Sequence, residues 1–564
     1  MPNRSRRPNP SPPERVLPAS TRDPEIRPAN RQEIAPVALA ATILGFISLY
    51  LCFTKGFLLL YGDAVAHLAI ARRILDSRNP GLSQLGGVWL PLPHLLMLPF
   101  VRNMAWWQSG LAGAWPSLVC YIAGAAGFYK LARRILAPRW AVAATAFYGL
   151  NPNLLYLATT AMTEPLFLAL LLWIAVVTAE AVAAIREGRR RPVIRRLAIL
   201  GILIFAAVFT RYDGWILGAA AWCIVAFHLW RARPFARTVL PAFLLFTAVT
   251  LAGPLLWLWY NQHFFHDPLD FMRGPYSAPA IEKKTSPPGS RHYRGWHNPA
   301  WALLFYTRTA QVDAAFWETG FALLAAALTG ALLALRRRIE PAAVLLLWMP
   351  LAFYVYSIAY GSVPIFIPQL YPHSFYNARY GLELLPALAL YAVFALAVLE
   401  RRLTATPGQR LAARILQPAA IALAALNSIG MMDRTPSILK EALVNSSTRI
   451  PFEESIARIL HDLPPGVPIL MQNSDHVGAL QDAGIPLRQT VNEGEYYTWR
   501  AALQNPAGHA AYIVAIAGDP VAQAVADHPE NLDELTIVCT TGQPCARIYR
   551  STLWGKTELP DTSR

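Results

Sequence analysis

The sequence predicts an all-α polytopic membrane protein of about eleven transmembrane helices, followed by a small C-terminal α/β domain. Hydrophobic residues make up 55% of the 564 residues and charged residues only 15%, whereas soluble domains carry ~25% charged residues. The apolar residues also form long runs with almost no charge, and several of these runs approach the ~20 residues that cross a bilayer. The clearest runs are Val37–Leu60, Leu166–Val177, Leu197–Phe209, Leu240–Trp259, Phe321–Leu335 and Leu384–Leu399.

The net charge of +16 does not indicate nucleic-acid binding, because the basic residues do not form one patch. They fall in short clusters between the apolar runs, which is the pattern of cytoplasmic loops in membrane proteins. Examples are Arg186–Arg196, Arg231–Arg237 and Arg336–Arg338. We therefore expect membrane lipid, and no nucleic acid, among the partners of this chain.

The N-terminal residues 1–34 are rich in proline and arginine and predict a disordered cytoplasmic tail. The run Ala35–Leu60 is too long for a signal peptide, so it predicts an uncleaved anchor. With the tail in the cytoplasm, every dense arginine cluster of a short loop falls on the cytoplasmic side. This topology predicts a transmembrane domain over residues 35–432 and places residues 433–564 outside the cytoplasm.

The C-terminal residues 433–564 have a different pattern, which predicts the small extracytoplasmic α/β domain. Phe452–Leu463 has helical spacing, and short apolar runs bounded by Pro, Gly and Asp predict strands. The predicted strands are Val467–Met471, Tyr512–Ile516, Leu535–Cys539 and Ala546–Tyr549. An extracytoplasmic compartment permits a disulfide between Cys539 and Cys545, and two free thiols are the alternative.

Ionisable residues near membrane level, outside the cytoplasmic loops, come from four separate segments. The topology places all of them at the outer face, although a charge at the bilayer centre costs ~2.5–3.5 kcal/mol and tends to mark a functional site. This convergence predicts an outward-facing polar pocket. The residues are Asp63, His67, Glu164, Arg211, Asp213, Arg379 and Glu383.

Two acidic residues are the candidate catalytic groups of this pocket. Asp63 is a candidate general base with His67 one helical turn away as a substrate-binding residue, and helix capping is the alternative role of Asp63. Glu164 is a candidate second carboxylate that binds acceptor hydroxyls or a divalent cation. Its alternative is a first-turn residue before Pro165 that complements the helix dipole. Two carboxylates are too few to assign a metal, so a divalent cation stays an open alternative and no cofactor is assigned.

The remaining candidates bind substrate. Arg211, Tyr212 and Asp213 follow one apolar run, and Arg379 and Tyr380 precede another. An arginine binds phosphate through two parallel hydrogen bonds, which suits a lipid phosphate at this depth. Anchoring at the membrane interface is the alternative for both segments.

Several nucleotide and metal motifs are absent from the sequence. It contains no GxxxxGK[ST] loop, no HExxH pair and no strand–GxGxxG–helix unit. An enzyme that works outside the cytoplasm without soluble nucleotides needs an activated donor carried by a lipid.

The sequence resembles the GT-C superfamily of polytopic glycosyltransferases. It is similar to the bacterial branch that uses polyprenyl-phosphate sugars and is related to protein O-mannosyltransferases and aminoarabinose transferases. The motifs that carry the resemblance are Gly62-Asp63-Ala64, Met162-Thr163-Glu164-Pro165-Leu166-Phe167, Thr210-Arg211-Tyr212-Asp213-Gly214-Trp215, and Ala378-Arg379-Tyr380 with Leu384-Leu385-Pro386.

The resemblance covers residues 35–399 and implies an inverting transfer with Asp63 as the base. Many members have an Asp-Glu pair in the first outer loop, whereas this chain has Asp63-Ala64. That difference puts a paired-carboxylate mechanism at this loop in doubt, and Glu164 is the candidate for the second carboxylate.

The predicted function is therefore transfer of a sugar from a polyprenyl-phosphate donor to a glycan, lipid or protein acceptor. The predicted location is a bacterial inner membrane, with the N-terminus in the cytoplasm. A transporter or flippase for a lipid-linked sugar is the main alternative, although transporters place their polar sites in broken helices at the bilayer midplane. An adhesive or assembly subunit is the third hypothesis.

Overall fold

The N-terminal helix begins earlier than the sequence predicts. The structure, a computed structural model, describes residues 25–285, 289, 292–405 and 409–554, so most of the predicted tail over residues 1–34 lies outside the described residues. Helix α1 covers Arg31–Thr54. It begins at Arg31 because Asn30 caps it: Asn30 Oδ1 accepts the Glu33 amide at 2.9 Å, and the Glu33 carboxylate accepts the Asn30 amide at 3.1 Å.

A bundle of α-helices follows α1. Within it, the helix Leu111–Ala132 packs on Glu164–Arg186, which in turn packs on Arg190–Val208. The helix Thr319–Arg336 packs on Leu385–Ala405. Its helices are α2 (Gly62–Arg73), α3 (Leu92–Val101), α4 (Met104–Ser109), α5 (Leu111–Ala132), α6 (Pro138–Gly149), α7 (Pro152–Leu157), α8 (Glu164–Arg186), α9 (Arg190–Val208), α10 (Asp213–Arg231), α11 (Arg233–Phe265), α12 (Asp270–Arg273), α13 (Ala278–Thr285), α14 (Pro299–Ala314), α15 (Thr319–Arg336), α16 (Pro341–Leu347), α17 (Met349–Tyr360), α18 (Leu385–Ala405) and α19 (Arg410–Asp433).

The bundle confirms the prediction of a multi-pass membrane protein. Nine helical stretches in the described part of the chain are long and apolar enough to cross a membrane. Two predicted spans do not meet those criteria: α6 has only 12 residues, and the first two turns of α9 contain Arg190, Arg191, Arg195 and Arg196. The nine stretches are Arg31–Thr54, Leu111–Ala132, Glu164–Arg186, Asp213–Arg231, Arg233–Phe265, Thr319–Arg336, Pro341–Tyr360, Ala378–Ala405 and Arg410–His461.

The C-terminal part contains the predicted small mixed sheet. Its strand order is β2-β1-β3-β5-β4. Strands β2, β1 and β3 are parallel to one another, and β5 is antiparallel to both of its neighbours, β3 and β4. The predicted helix Phe452–Leu463 lies mostly within the longer helix α20, and the two-residue strand β2 was not predicted. The elements are α20 (Ser437–His461), β1 (Ile469–Met471), α21 (Asn473–Asp482), β2 (Thr490–Val491), α22 (Tyr496–Gln504), α23 (Pro506–His509), β3 (Tyr512–Ile516), α24 (Pro520–Asp527), β4 (Leu532–Val538) and β5 (Ala546–Ser551).

The turn between β4 and β5 contains a disulfide between Cys539 and Cys545, as the sequence permits. The glycine at the tip of this turn, Gly542, has a φ of +79° and lies against Thr448 of α20. The disulfide turn therefore packs against the helix that joins the sheet to the bundle.

The sheet domain packs directly against the bundle. The apolar core of the bundle continues into it through Ile438, Phe452 and Met471. Polar contacts tie it to the loop after α2: Arg488 pairs with Asp76 at 3.0 Å, and Glu495 accepts the Arg78 amide at 3.0 Å. The loop after α2 is thus held between the two parts of the chain.

Candidate active site

Four of the predicted site residues meet at one end of the bundle, and each lies at the beginning of a helix or in a turn. Asp63 is in the first turn of α2, whose N-cap is Tyr61, so Asp63 is not the cap itself. Glu164 is the first residue of α8 and precedes Pro165, which suits a first helical turn. Arg211 lies in the turn between α9 and α10. Arg379 lies in the 3-10 helix Ala378–Leu384 that leads into α18.

Arg379 joins the two candidate catalytic carboxylates. Its Nε donates to Glu164 Oε1 at 3.1 Å, and its Nη2 donates to Asp63 Oδ2. No described residue accepts a hydrogen bond from its third nitrogen, Nη1. The guanidinium of Arg379 therefore keeps an unused donor next to Asp63.

Arg211, in contrast, uses its whole guanidinium within the protein. Each of its three nitrogens has an acceptor: Nε donates to Asp213 Oδ2 at 3.2 Å, Nη1 to Thr163 Oγ1 at 2.7 Å and Glu164 Oε1 at 3.3 Å, and Nη2 to Tyr354 Oη at 2.7 Å. Nη2 also forms an ion pair with Glu383 Oε1 at 3.2 Å. Arg211 is thus the centre of a buried polar network between helices.

The carboxyl groups of this cluster differ in how exposed they are. The side chains of Glu164, Asp213 and Glu383 are 0%, 1% and 0% exposed, whereas that of Asp63 is 41% exposed. Four carboxyl groups face two guanidinium groups, so the arginines do not present an unpaired positive field. An incoming anion has to compete with carboxylates, and the accessible place for that competition is beside Asp63.

Two tyrosine rings fill the space around the guanidinium groups. The Tyr380 ring lies 5.0 Å from the Arg211 guanidinium and 4.9 Å from that of Arg379. Tyr354 stacks on Tyr380 with ring centroids 5.2 Å apart. The rings hold both guanidinium groups in place by packing and by cation–π attraction. Tyr380, a predicted substrate-binding residue, thus lies between the two arginines of the site.

His67 is buried in an aromatic pocket next to the cluster. Its Nδ1 lies 2.8 Å from His94 Nε2, and its ring centroid lies 4.3 Å from that of Trp89. Burial, with smaller contributions from the positive charges of Arg379 and Arg211, lowers the pKa of His67 to about 3. His67 is therefore neutral at physiological pH.

Tyr212 is the one predicted site residue that points away from the cluster. Its hydroxyl donates to the Val88 carbonyl at 2.7 Å and accepts from Trp257 Nε1 at 3.2 Å. Its ring stacks on Phe271 with centroids 5.0 Å apart. Tyr212 thus supports the loop before α3, and Asp213 next to it faces Arg211.

The geometry does not favour a cation between the candidate catalytic carboxylates. Asp63 and Glu164 both accept from Arg379, whose guanidinium takes the position that a shared cation would need. Over the described residues, no group of three or more His, Cys, Asp or Glu side chains is arranged to hold a metal ion.

Two members of the network, Thr163 and Tyr354, were not predicted as site residues. Thr163 lies in the motif before Pro165 but is neutral, and Tyr354 is one of several tyrosines in apolar helices. Glu383 was recognised as an ionisable residue at membrane level, but its pairing with Arg211 at 3.2 Å joins distant segments. Such pairings become visible only in the folded chain.

Comparison with solved structures shows what this architecture is similar to. ArnT from Cupriavidus metallidurans bound to undecaprenyl phosphate matches with a TM-score of 0.55 and 15% sequence identity, covering 92% of this chain and 98% of that one. The chain has the fold of ArnT. The apo state of the same ArnT matches with a TM-score of 0.51 and 16% identity, covering 91% and 97% of the two chains.

The similarity to ArnT confirms the predicted fold class, a polytopic helical bundle followed by a small C-terminal domain. No protein-family model matches the sequence, and no curated protein matches it. At 15% identity, the ArnT-like fold does not specify a substrate, because one fold supports many functions and function depends on the site.

Proposed function

We propose that this protein is a membrane glycosyltransferase that moves a sugar from a polyprenyl-phosphate donor to an acceptor, with inversion at the anomeric carbon. The observation that carries the proposal is the accessible Asp63–Arg379 pair in a chain with the fold of ArnT. A general base and a phosphate-binding cation side by side are what such a transfer requires. The acceptor stays open between a glycan, a lipid and a protein.

Asp63 is the proposed general base. It is the exposed carboxylate of the cluster, with 41% of its side chain accessible, so an acceptor hydroxyl reaches it without displacing buried groups. Glu164 is fully buried and bonded to both arginines. Glu164 therefore acts by holding the guanidinium groups in place rather than by touching the acceptor.

Arg379 is the proposed phosphate-binding residue, and Arg211 supports it. Arg379 has an unused Nη1 donor, whereas each of the three nitrogens of Arg211 already has an acceptor. A donor phosphate beside Asp63 takes a charge-assisted hydrogen bond from Arg379 without breaking the network around Arg211. Undecaprenyl phosphate, the molecule bound in the matched ArnT structure, has this chemistry.

The proposed step is a single displacement. The acceptor oxygen forms a bond to the anomeric carbon while the bond from that carbon to the phosphate oxygen breaks. The electron pair of the broken bond stays on the phosphate, which Arg379 stabilises, and the hydroxyl proton passes to Asp63. The products are the glycosylated acceptor and the free polyprenyl phosphate.

The proposed orientation places the site and the sheet domain, residues 433–564, outside the cytoplasm. The arginine clusters of the short loops support this orientation by the positive-inside rule. The Cys539–Cys545 disulfide also supports it, because disulfides persist in oxidising compartments. A bacterial inner membrane with the N-terminus in the cytoplasm fits both observations.

The test compares Asp63→Asn with the wild-type protein in a transfer assay. The assay uses purified protein in nanodiscs, a panel of undecaprenyl-phosphate-linked hexoses and pentoses, and membrane extract as the acceptor source. Asn keeps the size of Asp but does not accept a proton at neutral pH, so we expect turnover to fall by about 10²-fold or more. Affinity for undecaprenyl phosphate should not fall, because the base acts in the transition state and the substitution removes a charge that competes with the phosphate for Arg379.

Glu454→Ala is the matched control, because Glu454 is an exposed carboxylate on α20 away from the cluster. An Asp63→Asn protein with normal turnover would remove the proposed mechanism. Movement of the intact lipid-linked sugar across proteoliposomes, with no transfer to an acceptor, would instead favour a flippase.

A further inference from the structure

We infer that Glu441, on α20, is a positioning residue that fixes the positions of Asp63 and Arg379 relative to each other. The inference rests on the proposed function, in which Asp63 is the base and Arg379 binds the donor phosphate. Glu441 belongs to the C-terminal part of the chain, where the sequence indicated no site residue.

Glu441 bonds to the neighbours of both site residues with one oxygen atom. Its Oε2 accepts the Tyr61 hydroxyl at 2.9 Å and the Ala378 backbone amide at 3.1 Å. Tyr61 caps α2 two residues before Asp63, and Ala378 directly precedes Arg379. The Glu441 side chain is therefore a direct link between two segments that lie more than 300 positions apart.

The link is buried, and the helix that carries it is fixed at its beginning. Glu441 is 1% exposed. One turn earlier, Ser437 Oγ donates to Asp313 Oδ1 at 2.6 Å, and the Ile438 amide donates to Asn153 Oδ1 at 3.0 Å. The position of Glu441 is thus set by α7 and α14.

Further along α20, Arg449 binds the segment that directly precedes Tyr61. Its Nη2 donates to the carbonyls of Leu59 at 2.8 Å and Leu60 at 3.1 Å. Arg449 also pairs with Glu453 on the next turn. The segment that leads into Asp63 is therefore held by α20 at the Leu59 and Leu60 carbonyls and at the Tyr61 hydroxyl.

This arrangement predicts an effect on the reaction that simple packing does not. The Tyr61 hydroxyl connects Glu441 to the Asp63 segment, whereas Glu441 connects to both segments. The Tyr61 ring, which lies 5.3 Å from the Arg379 guanidinium, is kept in Tyr61→Phe. Tyr61→Phe should therefore lower turnover and leave donor affinity unchanged. Glu441→Ala should lower both, because a small misplacement of a reacting group can cost about 10²-fold in rate.

The experiment uses the full chain in nanodiscs with four variants: Tyr61→Phe, Glu441→Ala, Glu441→Gln and the control Glu454→Ala. Turnover is measured in the transfer assay, affinity is measured with undecaprenyl phosphate, and hydrogen exchange is measured over residues 59–67 and 376–381. We expect Glu441→Ala to lower turnover by about 10–100-fold. Glu441→Gln keeps an acceptor oxygen and should restore most of that loss, and the control should match the wild type.

Hydrogen exchange separates failure of the inference from failure of the proposed function. Faster exchange in both segments of Glu441→Ala, but not of Glu454→Ala, supports the link even where the wild-type protein transfers no sugar. Unchanged exchange in Glu441→Ala would overturn the inference. So would faster exchange with wild-type turnover and affinity, because Glu441 would then stabilise the fold without positioning the site.

Discussion

The two arginines of the site have similar partners but different surroundings. Arg211 is enclosed by buried carboxyl groups, and all three of its guanidinium nitrogens donate to acceptors within the protein. Arg379 shares Glu164 with it but faces the exposed carboxylate of Asp63 and has an unused donor. A charged residue at membrane level can therefore serve either the framework of a site or its chemistry. The two roles differ in how many of the guanidinium donors already have acceptors within the protein.

The strongest test of this difference is the stability of Arg211→Ala. Removing this side chain leaves Asp213 and Glu383 buried without their cation, and leaves Glu164 with Arg379 alone. Breaking a buried ion pair from one side typically costs about 3–5 kcal/mol, so we expect a large loss of thermal stability in detergent. Arg379→Ala should lose much less, because Asp63 is hydrated and Glu164 keeps Arg211. Equal losses in the two variants would contradict the distinction.

Donor affinity should depend on the other arginine. Arg379→Lys keeps the charge but removes the planar fork that bonds to Asp63, Glu164 and the proposed phosphate together. We expect affinity for undecaprenyl phosphate to fall by about tenfold, a loss of ~1.4 kcal/mol, measured by titration in nanodiscs. The control is Arg434→Lys, since Arg434 is exposed and packs on Trp317 away from the cluster. Unchanged affinity in Arg379→Lys would exclude it as the phosphate ligand.

A smaller effect concerns pH and the buried His67. Its folded-state pKa of about 3 lies below the ordinary histidine pKa of 6.5, so the unfolded chain binds the proton more readily. The free energy of unfolding must therefore fall as the pH falls below the pKa of free histidine. Between pH 6.5 and 5.5 we expect a loss of about 1 kcal/mol from this residue. Thermal unfolding of the wild type and His67→Gln over that range checks this, and identical pH dependence would contradict it.

The sequence predicted the helical bundle well because each buried span needs a long apolar run. It also predicted that Asp63, Glu164, Arg211 and Arg379 converge, because a charge at membrane level is expensive and the topology places these residues at one face. Two parts of the site had no such signal. Tyr354 is one tyrosine among several in apolar helices, and Glu441 lies in a polar helix where a carboxylate is ordinary.

The pairing of the residues was also beyond the sequence. Arg379 contacts Asp63 across 316 positions, and the periodicity of either segment says nothing about the other. For the same reason, the sequence did not distinguish Arg211 from Arg379 as a phosphate ligand. The distinction depends on how many acceptors surround each guanidinium, which is a property of the packed helices.

The position of Glu441 along the chain has a consequence for biogenesis. The ribosome completes both arginines and their four carboxylate partners before it reaches α20, and N-terminal parts of a chain generally fold first. Until residues 437–449 have been synthesised and inserted beside α7 and α14, the loop before Asp63 lacks the contacts from Glu441 and Arg449. A chain that ends before residue 437 would therefore contain the reactive groups of the site without the contacts from α20 that position them.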